Sequence, residues 1–339
     1  MSIDTTTAHA PVPRPARSPD RPADVVEEHR LSFDGFRFVA RVVRRADTSG
    51  ERGAGSRGGG NDGDGRGAAV APLVVFGGSS QDRMSWARHE RWLTPLCPVV
   101  TVDLPGYGEA DPLPTRYGMD FLAAAARHML HELDMPRVNL LGACFGGAIA
   151  LRFAQHYPDT LERLLLAGMT PYVPEEYARA VPLWLRMLDD DRHADMADQL
   201  VGRFMSNPGA GDIRRHAAIS RLIHRQFMEQ TPRQIQMAVV DHNTRLLNHE
   251  WYRPERVAAV PTLVFTGEHD ALTTPAMGRA LAERLPGAVF TTVRSADHLV
   301  HMERIEEFAD VIARFVTDRP LDGLAYLNAV EIPRPSPCG

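Results

Sequence analysis

The stretch NLLGACFGGAIAL, residues 139–151, decides the fold. Asn139 to Leu141 belongs to a short apolar run suited to a strand buried on both faces, and Phe145 onward carries apolar and small residues at helical spacing. Between them lies Gly142-Ala143-Cys144-Phe145-Gly146. A chain that turns from strand to helix this sharply strains its central residue, so the residues two before and two after must be small. The turn lifts the central side chain above the carboxyl edge of a sheet, and the helix N-terminus beneath it favours negative charge. This is the nucleophile-elbow pattern G-x-S-x-G with cysteine at its tip. The bland alternative is a small buried cysteine at a tight strand–helix junction.

Working outward, short apolar runs recur at 71–76, 98–103, 137–142, 161–168 and 260–267. Stretches with helical periodicity, such as 119–134 and 145–158, separate them. This alternation predicts an α/β fold, a doubly wound and mostly parallel sheet. LSFDGFRFVARVV (31–43) reads as a β-hairpin turning at Asp34-Gly35. Residues 171–250 break the alternation and are expected to form a helical cap above the sheet. Residues 1–24 read as a disordered tail and 48–69 as a flexible glycine-rich insertion. The core is then expected over 25–170 and 251–320, followed by a C-terminal extension at 321–339.

Two downstream segments bear on the elbow. TLVFTGEHDALTTP (262–275) is a strand ending in a polar turn that holds Asp270. VFTTVRSADHLVHMERIEEF (289–308) is a strand, a loop bearing His298, and a helix. Cys144, Asp270 and His298 thus follow one another in the chain order nucleophile, acid, base, each just past a strand. Ligands of open α/β sheets bind at such edges. Glu268, His269, Asp297 and His301 flank these residues and read as solvated loop positions.

Composition narrows the chemistry. The chain has 339 residues, 44% of them hydrophobic, and a formal charge of -5, which gives no reason to expect nucleic acid. It contains no lysine, which removes Schiff-base chemistry, pyridoxal-phosphate attachment and a phosphate-loop lysine. Cys97, Cys144 and Cys338 form no CxxC pair. Cys97 reads as core packing and Cys338 as incidental. No signal peptide and no apolar run of about 18 residues is seen, so a cytoplasmic protein without a membrane span is expected. His216, His224, His242 and His249 lack metal-ligand spacing, so neither a metal nor a cofactor is expected.

With these residues in place, the chain from about 30 to 320 resembles the α/β-hydrolase superfamily. DLPGYGEAD (103–111) is similar to the family's turn after its fourth strand, and the spacing from His298 to Glu303 precedes its final helix. The resemblance implies an oxyanion hole from the loop FGGSSQDRMSW (76–86), through the N–H of Gly78 or Ser79, paired with that of Phe145. Because Cys144 replaces the usual serine, it points to the cysteine-nucleophile variant, as in dienelactone hydrolases, with a Cys-His-Asp triad. That variant implies action on an ester or thioester of a small hydrophobic or natural-product-like substrate, free or with its acyl group carrier-bound, through an acyl-thioester intermediate, with hydrolysis and acyl transfer both open. The alternatives are a lyase of the same fold that eliminates, for instance, acetate, and a catalytically silent binding scaffold. Trp184, Met187, Phe204 and Met205 of the cap are the expected substrate contacts.

Overall fold

The computed structural model describes residues 24–46, 69–205, 212–253 and 258–334. Almost all of the expected N-terminal tail and glycine-rich insertion, together with Cys338, therefore lies outside the described residues.

The chain opens with the expected hairpin, β1 (Asp24–Phe33) and β2 (Phe36–Arg45), whose turn residues Asp34 and Gly35 have φ of 49° and 84°. Two positive φ values in a two-residue turn match the twist of the flanking strands. There follow β3 (Leu73–Phe76), α1 (Ala87–Leu93), β4 (Val99–Asp103), α2 (Met119–Glu132), β5 (Val138–Ala143), α3 (Phe145–His156) and β6 (Leu161–Ala167). After a helical insert come β7 (Thr262–Gly267), α9 (Pro275–Ala282), β8 (Val289–Val293), α10 (Val300–Glu303) and α11 (Ile305–Val316). The insert between β6 and β7 comprises α4 (Glu175–Asp189), α5 (His193–Phe204), α6 (His216–Met228), α7 (Pro232–Ile235), a π-helical turn (Gln236–Asp241) and α8 (His242–Asn248).

The strands form one sheet in the order β1-β2-β4-β3-β5-β6-β7-β8. It is parallel from β4 to β8 and antiparallel at the β1–β2–β4 edge. Its central strands bury both faces, and alternate side chains supply two cores. Val74, Phe76, Val100 and Leu140 face α2, α3 and α9, while Leu73, Val75, Val99 and Leu141 face α1 and α11. The C-terminal extension adds Leu321, Leu324 and Leu327 to the second core and bridges β8 through Leu327 and Glu331. The insert has its own core around Trp184, Met196, Met205 and Phe227. Because parallel strands share one polarity, β3, β5, β7 and β8 all end at the same edge, and the loops that carry the site meet there.

Candidate active site

The elbow is strained in the way its sequence requires. Cys144, between β5 and α3, has φ 49° and ψ -119°, a region that a residue with a Cβ rarely adopts. An added Cβ on Gly146 would stand 2.2 Å from the Phe76 carbonyl oxygen and 2.4 Å from that of Gly77. Glycine there lets the end of β3 approach the start of α3, which brings the loop after β3 to the elbow.

Asp270 and His298 arrive from the loops after β7 and β8. His298 Nδ1 lies 2.9 Å from Asp270 Oδ2, and both side chains are buried. The carboxylate is held from every side. Oδ1 accepts the N–H groups of Leu272 (2.9 Å) and Thr273 (2.8 Å), and Oδ2 accepts the hydroxyls of Thr273 (2.8 Å) and Thr266. Burial works against ionising Asp270, but the His298 charge and these hydrogen bonds hold it below the usual carboxylate value. Burial likewise disfavours the His298 imidazolium. The Asp270 carboxylate and contact with Cys144 outweigh it and raise His298 well above its ordinary value. The result is a strongly basic imidazole, fixed on one side and facing the elbow on the other.

The expected oxyanion donors separate. The Gly78 N–H donates to Gln81 Oε1 at 2.7 Å, so it is committed within the protein, and this corrects its assignment as a free donor. Gln81 can reach back because the turn 78–81 is closed by its own N–H on the Gly78 carbonyl (3.1 Å). The N–H groups of Ser79 and Phe145 have no acceptor among the described residues. That of Phe145 is unpaired because it opens α3. Arg83 anchors the same loop to the end of β4, with its N–H 2.7 Å and its Nη1 2.6 Å from the Asp103 carboxylate.

Cys144 and His298 line a cavity of about 410 Å³, roofed by α6 and the end of α5. Of the four expected cap contacts, only Phe204 lines it, stacked on His298 with ring centroids 5.6 Å apart. Trp184, Met187 and Met205 pack into the insert's own core instead, and the Trp184 indole donates to Gln199. An insert this small needs its largest side chains for itself. Leu222, Ile223, Gln226 and Phe227 of α6 make the roof, and Phe227 stacks on Phe204 at 6.2 Å. Two tyrosines missed in the sequence stand close enough to Cys144 to feel its charge. Burial pushes the hydroxyls of Tyr107 and Tyr177 upward, and that charge adds to the shift. His301, expected in solvent, is buried in the cavity wall, where burial pulls it down to about 3 and keeps it neutral. Asp297 is buried as well, while Glu268 and His269 remain partly exposed and pair with each other. Among the described residues, no helix is long and apolar enough to cross a membrane, and no three His, Cys, Asp or Glu are grouped to hold a metal ion.

This fold and edge geometry define a class, and the sequence agrees. The model of the α/β hydrolase fold family matches residues 93–305, and the chain belongs to that family. It is an enzyme of the esterase and hydrolase kind. Among its relatives is a poly(3-hydroxyalkanoate) depolymerase of Ectopseudomonas oleovorans, 26% identical over 270 residues that cover 80% of this chain and 90% of the relative. A pimeloyl-[acyl-carrier protein] methyl ester esterase of Neisseria meningitidis is 30% identical over 228 residues, covering 65% and 82%. In structure the chain resembles a thermophilic esterase from Thermogutta terrifontis, with a TM-score of 0.65, 20% identity, and coverage of 86% and 98%.

These matches correct one expectation. They place the chain with the family's Ser-His-Asp esterases and hydrolases, and none of them marks a cysteine-nucleophile branch. The acyl-thioester course rests on that branch and falls with it. The physical reason is plain. One atom at the elbow leaves the strain, the sheet edge and the His–Asp pair unchanged, so it cannot by itself identify a lineage.

Proposed function

We propose that the chain hydrolyses carboxylic esters of neutral, largely apolar acyl groups, with Cys144, His298 and Asp270 as its catalytic residues. The observation that carries this is the buried Asp270–His298 pair at 2.9 Å, facing the elbow from the wall of an apolar cavity. His298 takes a proton from the water whose oxygen bonds to the carbonyl carbon and returns it to the departing alcohol as the ester C–O bond breaks, so that ester and water become acid and alcohol, while Asp270 fixes the ring's tautomer. Cys144 lines the cavity beside His298, at the tip of the elbow. Negative charge developing on the carbonyl oxygen is received at the start of α3 by the Phe145 N–H, with that of Ser79 as the second backbone donor.

The substrate class follows from the walls. Among the described residues that line the cavity, Arg88 is the only Asp, Glu, Lys or Arg, and the roof is Leu222, Ile223 and Phe227. A volume of 410 Å³ lies within the range of about 300–1,000 Å³ typical of small-molecule sites. A carrier-bound acyl group is a second form of substrate within this reading, in keeping with the substrate named for the Neisseria relative. The reading also places the enzyme in the reducing cytoplasm, where the free thiols of Cys97 and Cys144 persist.

The test is a series of p-nitrophenyl esters from acetate to dodecanoate, assayed with wild type, Cys144→Ala and His298→Ala. Wild type should turn over the butanoate to octanoate esters fastest, and both variants should be inactive yet folded. Equal turnover across the series, or wild-type rates in either variant, would overturn the proposal.

A further inference from the structure

The loop after β3 holds a side chain that the backbone account of the oxyanion leaves unused. The Gln81 carboxamide lines the cavity with Cys144 and His298. Its surroundings place it beside the elbow, because the ideal Cβ position of Gly78 lies 3.5 Å from Gln81 Oε1 and 3.7 Å from Cys144 Cβ. Both ends of the amide are fixed. Oε1 accepts the Gly78 N–H at 2.7 Å, which makes the far atom the nitrogen, and Nε2 lies 2.7 Å from His301 Nε2.

His301 is itself held. Its ring stacks on Trp86 with centroids 5.1 Å apart, and its carbonyl oxygen is 2.9 Å from His89 Nε2. A neutral ring receiving a hydrogen bond at Nε2 carries its own proton on Nδ1, so one of the two Gln81 amide hydrogens is spent on His301. The other remains. Gly78, meanwhile, has surrendered its N–H to the same amide.

We propose that Gln81 is a further catalytic residue, whose second Nε2–H joins the Phe145 and Ser79 N–H groups in binding the oxyanion. Carboxamide side chains serve as oxyanion donors where they are preorganised, and fixation by Gly78 on one side and His301 on the other supplies that preorganisation. The inference rests on the ester-hydrolase reading above and assigns a residue within that site.

Gln81→Glu separates this role from a structural one. A carboxylate keeps an acceptor for the Gly78 N–H and can accept from His301 after a change of tautomer, but it has no hydrogen for the oxyanion. The expected result is a fall in kcat of about 100-fold with KM little changed. Binding of a trifluoromethyl ketone, whose adduct carries the oxyanion, should weaken by a similar factor. A Glu variant with kcat within about threefold of wild type would show that Gln81 only shapes the loop, and would overturn the proposal. Gln81→Ala serves if the Glu variant does not fold. It frees the Gly78 N–H, so a rate equal to or above wild type would identify Gly78 as the donor, whereas a loss of about 100-fold supports Gln81. His298→Ala is the control for the underlying reading. Loss of ester hydrolysis there, together with an unaffected Gln81→Glu, would refute this inference alone.

Discussion

Asp270→Asn tests whether the buried pair sets the tautomer of His298. The carboxylate receives two backbone N–H groups at Oδ1, from Leu272 and Thr273, and His298 Nδ1 at Oδ2. The backbone donors cannot turn away, whereas the hydroxyls of Thr266 and Thr273 at Oδ2 can rotate to accept. An asparagine must therefore direct its oxygen to the two N–H groups and its amide nitrogen toward His298. Nδ1 then has to accept, the ring proton moves to Nε2, and the nitrogen facing Cys144 can no longer take a proton. A wrong tautomer of this kind costs about four orders of magnitude in kcat, or about 5 kcal/mol of transition-state stabilisation. The assay is steady-state hydrolysis of p-nitrophenyl butyrate by wild type and variant, with circular dichroism to confirm the fold. A variant within tenfold of wild type would refute the tautomer argument and leave Asp270 a structural role only.

Three further outcomes follow from the geometry. Gly146→Ala puts a Cβ against the Phe76 and Gly77 carbonyls, so it should lower stability by about 1–3 kcal/mol and displace the oxyanion loop, read as a fall in Tm together with a loss of activity. Glu303 is raised by burial from 4.5 to about 7, so its cost to the fold is absent below the unfolded value, grows as pH rises through that interval, and is fully present above about 7; Glu303→Gln should therefore add up to about 3 kcal/mol at pH 8 and little at pH 4, measured by urea unfolding at both. Phe227→Ala should shift the preference toward longer acyl esters by enlarging the cavity, while Trp184→Phe should lower Tm and leave chain-length preference unchanged, because Trp184 faces the insert's own core.

How far the sequence could be read depended on whether local chemistry or tertiary packing decided the matter. The elbow was legible because a strained φ at Cys144 demands small flanking residues, a constraint written within five positions. Asp270 and His298 were legible because each follows a buried strand by a few residues. The cap contacts were not. Trp184, Met187, Phe204 and Met205 share the same apolar character, and only packing reveals that one of them turns toward His298. Gly78 was misjudged because a turn only four residues long lets the side chain of Gln81 claim its N–H. His301 looked like a solvated loop residue, and its contact with Gln81 spans 220 positions. The hydrolase lineage is a property of the whole chain, which is why one substituted elbow residue suggested the wrong branch.

The central claim, that the buried His298–Asp270 pair drives ester hydrolysis at the elbow, is tested most directly by kcat/KM for p-nitrophenyl butyrate with wild type and His298→Ala at matched thermal stability. The account predicts turnover by wild type and a loss of at least about 1,000-fold in the variant, since His298, held by Asp270, is the group placed at the elbow to move the proton. No turnover by wild type, or a variant within tenfold of it, would contradict the claim.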